Sequence, residues 1–318
     1  MSATDFLREM AAVAPPDDPA FATDRAAQRA FAEHATEAVW RRHAEAGPEV
    51  AEVRELAIPT GAGSLRARLY RPIRTGRTGD PALHLHLPGG GWWHGSIDQW
   101  IVDAQCRERA DLGDSVVVSI DYRKAPEHPF PAAVDDAMAA LAWLAEHADE
   151  LGTSARLTVS GVSAGANIAA ALALRVLADG GPRIDHLVLE AMPAELRPTE
   201  TAFWAGPVGT GVDRAHYVEC IRWYLPDEAD AASPFASPLA AADLSQMPPT
   251  TVLIGSKDPL RGGAIAFASR LQAEGVAARL VEFEGFVHHT SALTATVAEA
   301  RRWRSIVAEA ITGTGGAP

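Results

Sequence analysis

The β-branched, apolar segment Arg156–Ser160 runs through Gly161-Val162-Ser163-Ala164-Gly165 into the alanine-rich stretch 164–177. Strand propensity, a run of small residues, then helix propensity over a helical length mark a sharp strand-to-helix turn. A serine at the centre of such a turn is held in an unfavourable backbone conformation, with its hydroxyl lifted above a sheet. Glycines two positions to either side let strand and helix pass closely. Five small residues are common by themselves; their flanks make this run informative.

Around that turn, short apolar segments alternate with helical ones. Strands are expected at 53–58, 65–70, 82–87, 115–120, 156–160, 186–191, 250–255 and 277–283. The first two can pair as a hairpin across Pro59–Gly63. Helices are expected at 24–46, 132–147, 164–177, 262–274 and 290–312, with one beginning near Asp98-Gln99-Trp100. Alternation of this kind implies a mostly parallel sheet of about eight strands, covered on both faces. Residues 1–50 read as polar helices carrying a narrow apolar face at Phe31, Val39 and Trp40. Residues 197–246, rich in Pro, Gly, Trp and Asp, break the alternation as an excursion over the sheet's carboxyl edge. The expected division is therefore a helical cap built from 1–50 and 197–246, and a core built from 51–196 and 247–318.

With 318 residues the chain can bury a substantial core. Its 28 Lys and Arg stand against 41 Asp and Glu, a net charge of −13, which argues against nucleic acid or an anionic membrane as partner. The N-terminus lacks a basic-then-apolar signal, and no apolar run approaches a membrane span, so a cytoplasmic location is expected. Cys106 and Cys220 lie far apart and read as free thiols in a reduced compartment.

A nucleophilic serine needs a base, the base an orienting acid, and the developing oxyanion needs donors. Asp258, in Ile254–Leu260, and His288, in Glu284–His289, each follow an expected strand by a few residues. Both would stand at the carboxyl edge beside Ser163. Either alone reads as a turn or loop residue; the pair in this order reads as acid and base. His289 is the adjacent competitor for the base. Gly89, Gly90 and Gly91 follow the strand at 82–87 and free their backbone N–H groups for close approach to an oxyanion, and Ala164, next after the serine, offers another. Trp92, Trp93, Trp204 and Trp223 suit either the wall of an acyl or alcohol pocket or simple packing. His84 and His86 alternate on one strand face without a carboxylate or cysteine partner, which points to a structural role and to no metal.

The stretches PGGGWWHGS (88–96), DYRKAPEHPFPAAVDDA (121–137), GVSAGANIAAALAL (161–174), ASPLAAADLSQMPPTTVLIGSKDPLRGGA (236–264) and GFVHH (285–289) resemble the hormone-sensitive-lipase family of bacterial esterases. The resemblance covers residues 83 to 290. It implies an eight-stranded α/β-hydrolase core with a helical cap, and a cofactor-free acyl-serine mechanism acting on small-molecule esters. It maps the triad to Ser163, Asp258 and His288, in the family's chain order, and the oxyanion donors to Gly89, Gly90, Gly91 and Ala164. It also implies that a homodimer, where one forms, would use residues around 277–312. Glu127, inside the second stretch, is expected to hydrogen-bond near the glycine loop.

Three departures stand out. Pro88 replaces the histidine of the family's His-Gly-Gly-Gly, Val162 the aspartate before the catalytic serine's position, and His289 the glycine after the catalytic histidine's. None removes a triad atom or an oxyanion N–H. They leave open lactone hydrolysis, amide cleavage or acyl transfer by the same constellation. Superfamily members that act as ligand-binding receptors have generally lost a triad residue; here all three are present.

Overall fold

The computed structural model describes residues 3–21, 23–74, 77–197 and 212–314. The N-terminal region holds three helices, α1 (Ala3–Ala11), α2 (Arg25–His34) and α3 (Glu37–His43). The expected helix over 24–46 is thus broken after His34. Asp24 caps α2 by accepting from the Ala27 N–H.

Strands β1 (Glu52–Thr60) and β2 (Gly63–Arg71) form the anticipated hairpin, with Thr60 paired to Gly63. Then follow β3 (Ala82–Leu87), α4 (Trp100–Leu112), β4 (Ser115–Ile120), α5 (Ala132–Glu146), β5 (Leu157–Val162), α6 (Ala164–Asp179) and β6 (His186–Glu190). After the excursion with α7 (Arg214–Tyr224) come β7 (Thr250–Gly255), α8 (Arg261–Ala273), β8 (Ala278–Phe283) and α9 (Ala298–Thr312). The eight strands form one sheet in the order β1-β2-β4-β3-β5-β6-β7-β8. All pairings from β4 to β8 are parallel; β2 is antiparallel to both β1 and β4. The expected single helix over 290–312 is a 3-10 turn at Thr290–Ala292 followed by α9. The break lets the Ala295 N–H reach the His43 carbonyl (3.0 Å), joining this loop to α3.

Every residue of β3, β4 and β7 is buried, as two-sided coverage demands. The two faces are chemically unlike. Leu83, Leu85 and Leu87 on β3, Val116, Val118 and Ile120 on β4 and Leu157 and Val159 on β5 share one face, where their cluster includes residues of α5, α6 and α8. The opposite face, under α4 and α9, carries His84, His86, Ser119, Thr158, Ser160 and Glu190, all fully buried. Most buried polar groups find partners; among the described residues His86 Nε2 and Ser119 Oγ do not, while the others are largely paired. His84 lies 2.7 Å from both the Thr158 and Ser160 hydroxyls, and His86 3.0 Å from Ser160. Strand β3 is therefore cross-linked to β5 by side chains as well as by its backbone.

Candidate active site

The turn between β5 and α6 is as tight as its composition suggests. Ser163 sits at φ 53°, ψ −119°, outside the ordinary regions for a residue with a side chain. A Cβ at Gly161 would fall 2.2 Å from the Gly165 carbonyl oxygen, and one at Gly165 2.1 Å from that of Leu87. No larger residue fits either place. The Ser163 N–H donates to the Glu190 carbonyl (2.8 Å), tying the turn to the end of β6.

His288 Nε2 lies 3.0 Å from Ser163 Oγ, and its Nδ1 2.8 Å from Asp258 Oδ2. A carboxylate only accepts, so Nδ1 carries the proton and Nε2 accepts from the serine hydroxyl. Asp258 is 1% exposed, and its other oxygen accepts from the Leu260 N–H (2.9 Å), which holds the carboxylate still. The Lys257 N–H donates to the Phe286 carbonyl (2.9 Å), joining the loop of Asp258 to that of His288. His289 points elsewhere: its ring packs edge-on against Phe6 and Trp40, with centroids 6.2 and 5.9 Å away.

The glycine loop runs beside the serine. A Cβ at Gly89 would lie 2.9 Å from the Val162 carbonyl oxygen and 3.6 Å from Ser163 Cβ. Gly90 and Gly91 take φ values of 134° and 56°, where side chains are disfavoured. Among the described residues, the N–H groups of Gly90, Gly91 and Ala164 have no backbone acceptor. Tyr122 braces the loop from below by donating to the Pro88 carbonyl (2.8 Å). Arg29 braces it from α2, donating to the carbonyls of Trp93 (2.6 Å) and Ala125 (3.2 Å) and pairing with Glu127 (2.6 Å). Glu127 thus acts through Arg29, next to the glycine loop.

Serine, histidine and glycine loop open into a cavity of about 390 Å³. Trp92, Trp93 and Val162 line it beside the loop; α7 contributes His216, Tyr217 and Cys220; α1, α3 and α4 contribute Met10, Trp40, Val102 and Gln105. Trp92 is buried, stacked on Tyr224 at 5.1 Å, with its N–H donated to Asn167 Oδ1 (3.2 Å). Trp223 is not a lining residue: it stands edge-on to Trp93 (5.4 Å) with the Arg25 guanidinium 3.8 Å above its ring. Trp204 lies outside the described residues. Burial dominates the protonation of the walls. It drives the His94 imidazole down to about 3 and pushes the Cys220 thiol up to about 12, so neither is charged near neutrality. Both cysteines are free and buried.

Comparison with known proteins identifies the family. A family model described as the alpha/beta hydrolase fold matches residues 83–291. The chain belongs to the hormone-sensitive-lipase family of α/β-hydrolases. It is a carboxylesterase-type serine hydrolase. Relatives within the family include the esterase LipI of Mycobacterium tuberculosis, 35% identical over 247 residues (76% of this chain, 75% of that protein). An arylesterase of Saccharolobus solfataricus is 33% identical over 249 residues (75% and 77%). The solved structure of a hyperthermophilic esterase from the archaeon Pyrobaculum calidifontis superposes with a TM-score of 0.83 at 33% identity, covering 92% of this chain and 94% of that one. Among the described residues, no helix is long and apolar enough to cross a membrane.

Several residues that hold the site together escape a reading of the sequence alone. Asn167 was visible only as one polar residue in an apolar helix; it bonds Trp92 and donates to the carbonyls of Pro193 (3.1 Å) and Ala236 (2.9 Å). Glu190, a charge closing an apolar strand, was a similar signal. Arg29 and Gln105 gave none, since an arginine or glutamine on a polar helix is ordinary.

Proposed function

We propose that the chain hydrolyses small carboxylic esters through an acyl-serine intermediate. His288 Nε2 takes the Ser163 proton as Oγ attacks the ester carbonyl carbon. The carbonyl electrons move to oxygen, and the N–H groups of the 89–91 loop and Ala164 stabilise that oxyanion. The tetrahedral intermediate collapses, the carbon–alkoxy bond breaks, and the imidazolium gives its proton to the leaving alcohol. Water then attacks the acyl-serine with His288 again as base, releasing the acid and restoring Ser163. Asp258 keeps the imidazole in the productive tautomer and stabilises its charged form. The observation that carries this reading is the continuous hydrogen-bonded chain from Ser163 Oγ through His288 to Asp258 Oδ2.

In the same reading, the described residues within 1–50 and 197–246 form the cap. The contact of Arg25 on α2 with Trp223 on α7 supports it. A cavity of about 390 Å³ suits short- to medium-chain or compact esters. The test is hydrolysis of p-nitrophenyl esters from acetate to palmitate, with Ser163→Ala as control. Turnover of the shorter chains, abolished in the variant, is expected. A wild-type protein that neither turns over an ester nor reacts with a fluorophosphonate would overturn the reading.

A further inference from the structure

Among the polar side chains that line the cavity and take no part in the reaction above are Gln105 and Ser291. Gln105, on α4, is 9% exposed, and Ser291, in the turn after His288, is 8% exposed; both line the cavity. Among the described residues, neither the Gln105 amide nor the Ser291 hydroxyl has a hydrogen-bond partner. Neighbouring Gln99 is different. Its Oε1 accepts from the Ser96 N–H (3.3 Å), and its Nε2 faces the Glu33 carbonyl at 3.5 Å. One amide of this wall is spent on the protein; the other is left for whatever fills the cavity.

A buried primary amide offers two donors and an acceptor, and leaving them unpaired is unfavourable. Water can serve them while the cavity is empty. A substrate that expels that water must replace its hydrogen bonds or bind poorly. Charge narrows the choice. Among the described lining residues there is no Lys or Arg, and the one carboxylate is Asp213. An anionic group on the substrate would find no cation there.

We propose that Gln105, aided by Ser291, is a specificity determinant that hydrogen-bonds a neutral polar group on the ester. The substrates are then esters bearing an amide or hydroxyl away from the scissile bond, in preference to plain hydrocarbon or carboxylate-bearing esters. This rests on the ester-hydrolase reading above.

The test compares kcat/KM within two isosteric pairs. The acyl pair is a p-nitrophenyl ester with an acetamido-ended chain and its branched-hydrocarbon counterpart. The alcohol pair is the acetates of the matching amide-bearing and hydrocarbon alcohols. Wild-type protein should favour the amide member of at least one pair by roughly tenfold or more. Gln105→Leu and Gln105→Met should erase that preference, and Ser291→Ala should reduce it. Melting temperatures show which variants fold; should the leucine variant fail, the straight-chain methionine carries the comparison. No preference in either pair, a preference that survives both Gln105 substitutions, or equal turnover of a carboxylate-ended acyl chain would overturn the proposal. If wild-type protein also leaves p-nitrophenyl acetate intact, the hydrolase reading falls with it; if acetate is cleaved, only the specificity assignment does.

Discussion

The backbone N–H of Ser163 donates to the carbonyl of Glu190 at 2.8 Å, while the Glu190 side chain is buried on the far side of the sheet. There its carboxylate pairs with Arg109 of α4 and accepts from Trp303 Nε1 of α9 at 2.6 Å. One residue therefore connects the strained serine turn to two helices.

Removing a single member of a buried ion pair leaves an uncompensated charge, at a cost of about 3–5 kcal/mol. Glu190→Ala should lose stability on that scale in urea unfolding and lower kcat as well. Glu190 also faces the buried Arg304 of α9 at 3.6 Å, which keeps Glu108 at 3.4 Å. The double variant Glu190→Leu with Arg109→Met should therefore recover only part of the stability; apolar replacement is close to neutral where a whole buried group of charges is exchanged.

Gly165→Ala tests the close approach at the turn. Its Cβ would meet the Leu87 carbonyl at 2.1 Å, and backbone cannot yield cheaply. The expected cost is about 1–3 kcal/mol or more, read as a lowered melting temperature, with activity falling further because β3 leads into the glycine loop. A variant with wild-type stability and turnover would contradict this account.

Asp258→Asn keeps shape but removes the charge and the pure acceptor that fixes the His288 tautomer. A drop of about 10⁴-fold in kcat with little change in KM is expected, by analogy with serine triads generally.

Acid should unfold the protein early. Burial pushes His84 and His86 well below the ordinary 6.5, His186 to about 4 and His94 to about 3. Each stays neutral in the folded state and takes up a proton on unfolding, so below pH 6.5 the unfolded chain binds more protons. Stability must then fall as pH drops from 6.5 toward those lowered values, by up to about 1.4 kcal/mol per pH unit for each such imidazole. Urea unfolding at neutral and mildly acid pH measures the slope. A flat profile between pH 6.5 and 5 would show that these histidines do not govern it.

Arg29→Ala removes the tie between α2 and the glycine loop, leaving the carbonyls of Trp93 and Ala125 without that donor. Turnover should fall more than global stability, because the bonds released steady the loop and leave the main core untouched. Steady-state kinetics beside a thermal melt distinguish the two effects. Glu127→Gln, which keeps Arg29, should be milder.

Much of this architecture is local, and local structure is legible in a chain. Strand and helix positions followed from hydropathy, and the serine turn from glycines that no other residue can replace. Asp258 and His288 were legible because each follows a strand by a few residues, which places it at one known edge. Where elements end was less clear. The helix expected from Thr290 starts at Ala298, because the preceding turn is occupied in bonding α3. The antiparallel pairing of β2 with β4 was likewise hidden, since hydropathy reports burial and not the neighbour that provides it.

The amino-acid order by itself determined the layer architecture, the strained serine turn and the places of Asp258 and His288 just past their strands, because those depend on residue type and position along an element. Only the tertiary structure decided that Trp92 and Trp93 face the cavity while Trp223 stands behind. It alone revealed that Arg29 and Glu190 brace the site, and that the Gln105 amide has no partner among the described residues. Those outcomes turn on distances between residues far apart in the chain. A side chain's role there is set by what the fold brings within hydrogen-bond reach.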